Sequence, residues 1–114
     1  MYVGNLLVDI FLPSANSLKT KRKVIQSLIA QLKNRYNISV AEVDNQDLWQ
    51  KSSLGISCIN SDYRNLQSIL GKIINHIHTK NDIEVISEKN EIYTLHQDTE
   101  QDGMSLMLEK KLNP

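Results

Sequence analysis

The sequence has little cysteine: Cys58 is the only one among 114 residues. A single cysteine excludes an internal disulfide and a zinc site built from several cysteines. Cys58 also lies in an alternating apolar stretch. We therefore expect it to be a small buried hydrophobic residue and not a reactive thiol.

The sequence has no net charge, because 13 Lys and Arg residues balance 13 Asp and Glu residues. This balance excludes bulk electrostatic attraction to nucleic acid or to a membrane surface. The charges are unevenly placed, however. Residues 1–36 carry six basic side chains against Asp9 alone, a net charge of +5, so the remainder carries −5. One basic segment is thus joined to an acidic body.

Long hydrophobic runs are also missing. The first apolar stretch, MYVGNLLVDIFLP, is interrupted by Asn5 and Asp9 and is far shorter than the roughly 20 residues that span a bilayer. It lacks the basic leader and small-residue cleavage site of a secretory signal. We therefore expect a cytoplasmic protein that makes no contact with a membrane.

Motifs of metal and cofactor chemistry are missing as well. There is no Gly-rich phosphate loop and no G-x-S-x-G sequence. His76 and His78 would point about 200° apart on a helix, so they do not form a ligand pair. Glu42 and Asp44 should face the same side of a strand, and such a pair either binds Mg²⁺ or, more often, pairs with nearby cations. We predict no metal and no cofactor.

Hydrophobic periodicity predicts four strands and two helices. Ser17 is a good N-cap for the first helix, and Ser61 or Asp62 for the second. Gly71 falls inside the second helix, where close packing on the sheet would explain it. The predicted strands cover residues 2–12, 38–44, 54–59 and 83–86, the last with an alternative continuation at 92–95, and the helices run to about residues 36 and 79.

The order β-α-β-β-α-β predicts an α+β, ferredoxin-like sandwich, because two helices with single apolar stripes need one sheet face to cover. Right-handed crossovers give an antiparallel sheet in the order 4-1-3-2. We predict one domain at residues 1–95 and a polar, flexible tail at 96–114. Docking of the tail is the alternative, through its apolar residues Met104, Leu106, Met107 and Leu108.

This topology should bring SANSLKTKR and DNQDLWQK to one edge of the molecule. In one interpretation, a Lys21–Asp44 or Arg22–Asp47 ion pair holds the hairpin to the helix and Trp49 covers the end of the core. In the other, this edge recognises an anion or a phosphate. The candidate binding residues are Ser17, Lys19, Lys21, Arg22, Lys23, Asp44, Asp47, Trp49 and Gln50.

The sheet face away from the helices should carry an apolar patch interrupted by Asn5, Asp9 and Ser57. Such a face is commonly covered by a second subunit, so we predict a homodimer. The apolar members of the patch are Val3, Leu7, Phe11, Val43 and Ile59.

The segments LPSANSLKTKRKVIQSL and NRYNISVAEVDNQDLWQKSSLGIS closely resemble the YlxP-like family of small bacterial proteins of unknown function. The resemblance runs from about Tyr2 to Ile86 and implies a ferredoxin-like sandwich. Genes of the family often lie near those of translation initiation and ribosome maturation factors, which implies a role linked to RNA or the ribosome. Family members usually have His where this chain has Asn16, so a hydrogen-bonding cap fits here better than a titrating imidazole. The tail after about Leu95 is longer than in the family.

Three function classes follow. The first is a non-enzymatic accessory factor that contacts RNA or a ribosomal assembly through the basic helix and the Trp49 hairpin. The second is a homo-oligomeric regulatory protein that binds a small anionic ligand at the same edge. The third is an enzyme with Asp44 or Asp47 as a base beside Lys21, for which the sequence specifies neither nucleophile nor cofactor. The first is our prediction.

Overall fold

A computed structural model describes residues 1–96 of the protein. The chain forms six elements in the predicted order β-α-β-β-α-β. They are β1 (Tyr2–Phe11), α1 (Leu18–Arg35), β2 (Ser39–Asp44), β3 (Lys51–Asn60), α2 (Tyr63–His78) and β4 (Glu84–Thr94).

The four strands form one antiparallel sheet in the order β2-β3-β1-β4, which confirms the predicted order 4-1-3-2. Strands β3 and β1 are the two inner strands, and the alternating pattern of β1 buries Leu6, Val8 and Ile10 on one face. Both helices cover that face and complete a two-layer sandwich. We call the opposite face the outer sheet face.

The core lies between the sheet and the apolar stripes of the two helices. Helix α1 contributes Ile25, Leu28 and Leu32, and α2 contributes residues spaced in the same way. Cys58 is buried in this core as predicted, and burial raises the pKa of its thiol. The buried residues of α2 are Leu66, Leu70, Ile73 and Ile77.

Both helix starts have the predicted kind of cap. The Ser17 hydroxyl accepts a hydrogen bond from the Thr20 N–H at 3.1 Å. At α2 the cap is Asp62 and not Ser61, since the Asp62 carboxylate accepts from the Asn65 N–H at 3.1 Å.

Strand β4 is longer than its sequence pattern predicts. It continues without interruption through SEKNE and pairs with β1 from Glu84 to Thr94, apart from one irregularity opposite Asp9 and Ile10. The polar residues of SEKNE can continue the strand, since β4 lies at the edge of the sheet, where a strand needs no continuous apolar face. Strand β3 likewise begins earlier than predicted, at Lys51.

The expected reason for Gly71 is wrong. Gly71 is exposed, and a Cβ added there would meet no heavy atom within 4 Å. It lines a groove of about 420 Å³ between α2 and β4. The glycine that allows α2 to approach the sheet is Gly4, where an added Cβ would lie 2.8 Å from Leu70 Cδ1.

The described residues include no helix long and apolar enough to cross a membrane. The predicted tail lies outside the described residues except for His96, as do its four apolar residues.

Candidate functional site

The β2–β3 turn and the start of α1 lie side by side, as the topology predicts. The Leu12 N–H donates to the Gln50 carbonyl at 2.8 Å. The Gln50 side-chain amide donates to the Pro13 carbonyl at 3.1 Å. These bonds attach the loop before α1 to the end of the hairpin. We call this edge, residues 13–23 together with 44–51, the hairpin–helix rim.

Lys21 is the buried centre of the hairpin–helix rim, with only 1% of its side chain exposed. Its ammonium lies 3.0 Å from a Glu42 carboxylate oxygen and donates to the Asn45 and Gln46 carbonyls at 2.5 and 3.3 Å. All three N–H donors therefore have an acceptor. The Glu42 oxygen also accepts from the Ser52 hydroxyl at 2.5 Å. Lys21 thus fixes the turn and has no free donor for a ligand.

The predicted partner of Lys21 was wrong, although the prediction that its ammonium reaches a carboxylate is confirmed. Glu42 pairs with Leu54, which is buried under the helices, whereas Asp44 pairs with Ser53 on the other side of the sheet. The register shifts between Glu42 and Asp44 by one residue. This bulge places the two acids on opposite faces, so they do not form the expected pair.

The turn itself depends on Asn45, whose φ of 60° lies in the left-handed region. Asparagine tolerates this conformation better than most residues. The Asp44 carboxylate supports the turn by accepting from the Asn45 N–H at 2.7 Å, and the Leu48 N–H donates to the Asn45 carbonyl at 3.2 Å. Asp44 therefore acts within the turn.

A second polar network, not predicted from the sequence, extends from the turn across the sheet. The Asn45 side-chain amide donates to the Ser53 hydroxyl at 2.8 Å, and Ser53 donates to Asp9 Oδ1 at 2.5 Å. The Ser87 hydroxyl donates to the other Asp9 oxygen at 3.0 Å. The bonds from Ser53 and Ser87, with smaller contributions from Lys51 and Lys89, hold the pKa of Asp9 below its usual value against the opposing effect of burial. The signal in the sequence was the alternation that puts Asp9 and Ser53 on one face.

The other cations that α1 contributes to the rim face solvent. Lys19, Arg22 and Lys23 are exposed, and within residues 1–96 none of them forms a salt bridge. The predicted Arg22–Asp47 pair is therefore not formed. Together with Lys33 they occupy the solvent face of α1, over a length of roughly 21 Å at 1.5 Å per residue.

Trp49 is 55% exposed and Leu48 is 49% exposed at the tip of the hairpin. Such exposure contradicts the interpretation of Trp49 as a cover for the core. Near the helix start, the Asn16 side chain accepts from the Thr20 hydroxyl at 3.1 Å, a hydrogen-bonding role that needs no imidazole. The rim therefore combines an exposed indole with four exposed cations, Lys19, Arg22, Lys23 and Lys51.

The histidines of α2 interact with protein groups. His76 contacts the side chains of Arg35 and Gln31 at 3.2 Å, and burial, with help from Lys80 and Arg35, lowers the pKa of His76. His78 lies 3.7 Å from Glu88. Within residues 1–96, no three His, Cys, Asp or Glu side chains are grouped as metal ligands.

Comparison with known proteins extends the resemblance seen in the sequence. The chain is 29% identical over 82 residues to the uncharacterized protein YlxP of Bacillus subtilis (strain 168), covering 72% of this chain and 89% of that protein. Among solved structures it is similar to the de novo designed protein Foldit4, with a TM-score of 0.49 and 12% identity over 84% of this chain and all of the other.

The model of the family described as "Protein of unknown function (DUF503)" matches residues 3–90, which is most of the chain. The protein therefore belongs to the DUF503 family, whose function is unknown.

Proposed function

We propose that this protein is a non-enzymatic, cytoplasmic accessory factor that contacts single-stranded RNA, alone or within a ribosomal assembly, through the hairpin–helix rim. The observation that carries the proposal is that Lys19, Arg22 and Lys23 are exposed, form no salt bridge within residues 1–96, and share one rim with the exposed Trp49. Cations that no carboxylate neutralises are available to phosphates, and an exposed indole is available to stack on a base.

Within the rim, some residues hold the turn and others face solvent, and this arrangement supports the same function. Lys21 and Asn45 hold the turn by partly buried hydrogen bonds, so the tip carrying Trp49 is formed before any ligand arrives. A preformed surface loses less conformational entropy on binding than a flexible loop does. Asp44 and Asp47 repel phosphate, so we expect the backbone of the RNA to follow α1 and a base to reach Trp49.

The test uses Trp49 as the reporter, since it is the only tryptophan in the chain. A short single-stranded RNA is titrated into the protein at several salt concentrations, and quenching of tryptophan fluorescence gives the affinity. Changing Lys19, Arg22 and Lys23 together to Ala should weaken binding. The salt slope should fall by about 0.7 for each phosphate that the variant no longer neutralises.

A matched control removes the same charge from the other helix and its following turn, by changing Arg64, Lys72 and Lys80 to Ala. This variant should bind RNA with nearly the wild-type salt slope. Equal binding by the rim variant and the wild type would refute the proposal. Binding of a mononucleotide as tight as binding of the RNA would favour a small-anion site at the rim instead.

The ribosomal context needs a separate measurement. Tagged protein is recovered from its own cytosol with and without nuclease treatment. Partners that disappear after nuclease and are absent with the rim variant support an RNA-mediated assembly. Partners that the rim variant retains would contradict it.

A further inference from the structure

The outer sheet face exposes apolar side chains along its central rows. Leu7 is 40% exposed near the middle of β1, and Ile59 is 64% exposed. The register places Val3 between Ile59 and Tyr93, so these three side chains share one row. Val43 packs over Gly55, where an added Cβ would lie 2.9 Å from Val43 Cγ1.

The charged centre of this face is already satisfied. Both carboxylate oxygens of Asp9 accept hydrogen bonds, from Ser53 and Ser87. Covering this group would therefore leave neither oxygen without a donor, which lowers the cost of burying it.

The outer face of β1 also has a symmetric pattern. Val3, Asn5, Leu7, Asp9 and Phe11 alternate apolar and polar about Leu7. If a second copy lies on this face with its β1 antiparallel, Leu7 meets Leu7, Asn5 meets Asp9, and Val3 meets Phe11. In the parallel arrangement two Asp9 carboxylates would meet, which is unfavourable. The two Asp9 carboxylates therefore disfavour the parallel arrangement.

We propose that the protein forms a homodimer through its outer sheet faces, with a two-fold axis near Leu7 and the two β1 strands antiparallel. Four strands about 4.8 Å apart and about 30 Å long give a footprint on the order of 600 Å² per copy, at the lower end of stable interfaces. We therefore expect dissociation in the micromolar range. The exposed cations of α1 lie on the helix layer and would stay exposed in this dimer. The dimer and the RNA-binding proposal are therefore independent of each other.

The test is sedimentation equilibrium of the full chain through the micromolar range. Leu7→Asp should raise the dissociation constant by at least about tenfold, because it puts two carboxylates at the axis. Leu7 is exposed, so the variant should fold normally, which circular dichroism checks. The control Ser68→Asp adds the same charge on exposed α2 and should leave the dissociation constant unchanged.

Asn5→Lys tests the orientation. In the antiparallel dimer the new ammonium faces Asp9 twice, so association should tighten by about two- to tenfold, whereas Ser68→Lys should have no effect. In a parallel dimer two lysines would meet and association would weaken. A strict monomer, an unchanged Leu7→Asp dimer, or an Asn5→Lys dimer no tighter than wild type would each overturn the proposal. A monomer that Leu7→Asp strongly destabilises would show that another part of the chain covers this face.

Discussion

The ion pair of Lys21 makes the sharpest prediction about stability. Lys21→Met keeps a stem of similar length in the core but removes the ammonium. Glu42, which is 19% exposed, then keeps only its bond from Ser52. The Asn45 carbonyl keeps only its bond from the Leu48 N–H, and the Gln46 carbonyl loses the Lys21 donor. Leaving the half-buried Glu42 carboxylate without its cation and weakening the hydrogen bonds of the turn should lower the free energy of unfolding by about 2–4 kcal/mol.

The reciprocal change separates the ion pair from the rest of the site. Glu42→Gln keeps the shape of the side chain and an acceptor oxygen for Ser52 and Lys21, but removes the negative charge that balances the buried ammonium. We expect a loss of about 1–3 kcal/mol. Because the two groups share one site, the double variant should lose less than the sum of the single losses, by about 0.5–3 kcal/mol.

The assay is urea unfolding followed by circular dichroism, with tryptophan fluorescence as a local report on the turn. The control is Lys23→Met, an exposed neighbour on the same helix, which should change stability by no more than about 0.5 kcal/mol. If Lys21→Met costs no more than Lys23→Met, the buried ammonium does not hold the turn.

Three further predictions concern the turn, the sheet and α2. Because folding lowers the pKa of Asp9, its stabilising contribution is complete above the ordinary carboxyl pKa and is lost as the pH falls through the folded value. Asp9→Asn should therefore reduce the loss of stability at acid pH, measured by urea unfolding at several pH values. An unchanged loss of stability at acid pH would refute this prediction. Asn45→Ala should cost about 1–2 kcal/mol and Asn45→Gly less, because only alanine adds strain at a φ of 60°; equal losses would argue against strain. Gly71→Ala should stabilise the protein by about 0.5–1 kcal/mol in thermal unfolding, since an added Cβ meets open space, and destabilisation would contradict that open environment.

The sequence predicted the architecture well because the architecture follows from periodicity. Alternation in β1, single apolar stripes in two helices and the rule of right-handed crossovers are sufficient for the sheet order and for the meeting of Leu12 with Gln50. Exposure of Lys19 and Lys23 follows in the same way, since both lie opposite the buried stripe of α1.

The details of the rim depend on one extra residue in a strand, which periodicity does not reveal. Strict alternation puts Glu42 and Asp44 on one face, and the bulge at Val43 separates them. Bulges arise from the pairing of two strands, so the pattern of one strand could not indicate it. The prediction of the length of β4 was wrong for a related reason. Pairing with β1, and not local apolar character, extends this strand through SEKNE.

The bulge also explains why Asn45 connects two surfaces. Its carbonyl accepts from Lys21 on the helix side, and its side-chain amide donates toward Ser53 and Asp9 on the outer face. One residue in the left-handed conformation thus joins the buried ammonium to the polar centre of the sheet. Since each bond limits the rotation of the turn from a different side, the direction in which Trp49 projects is set by both networks. A change at Asp9, which is remote in sequence from the tip, should therefore alter the orientation of the Trp49 indole more readily than it alters the packing of the core.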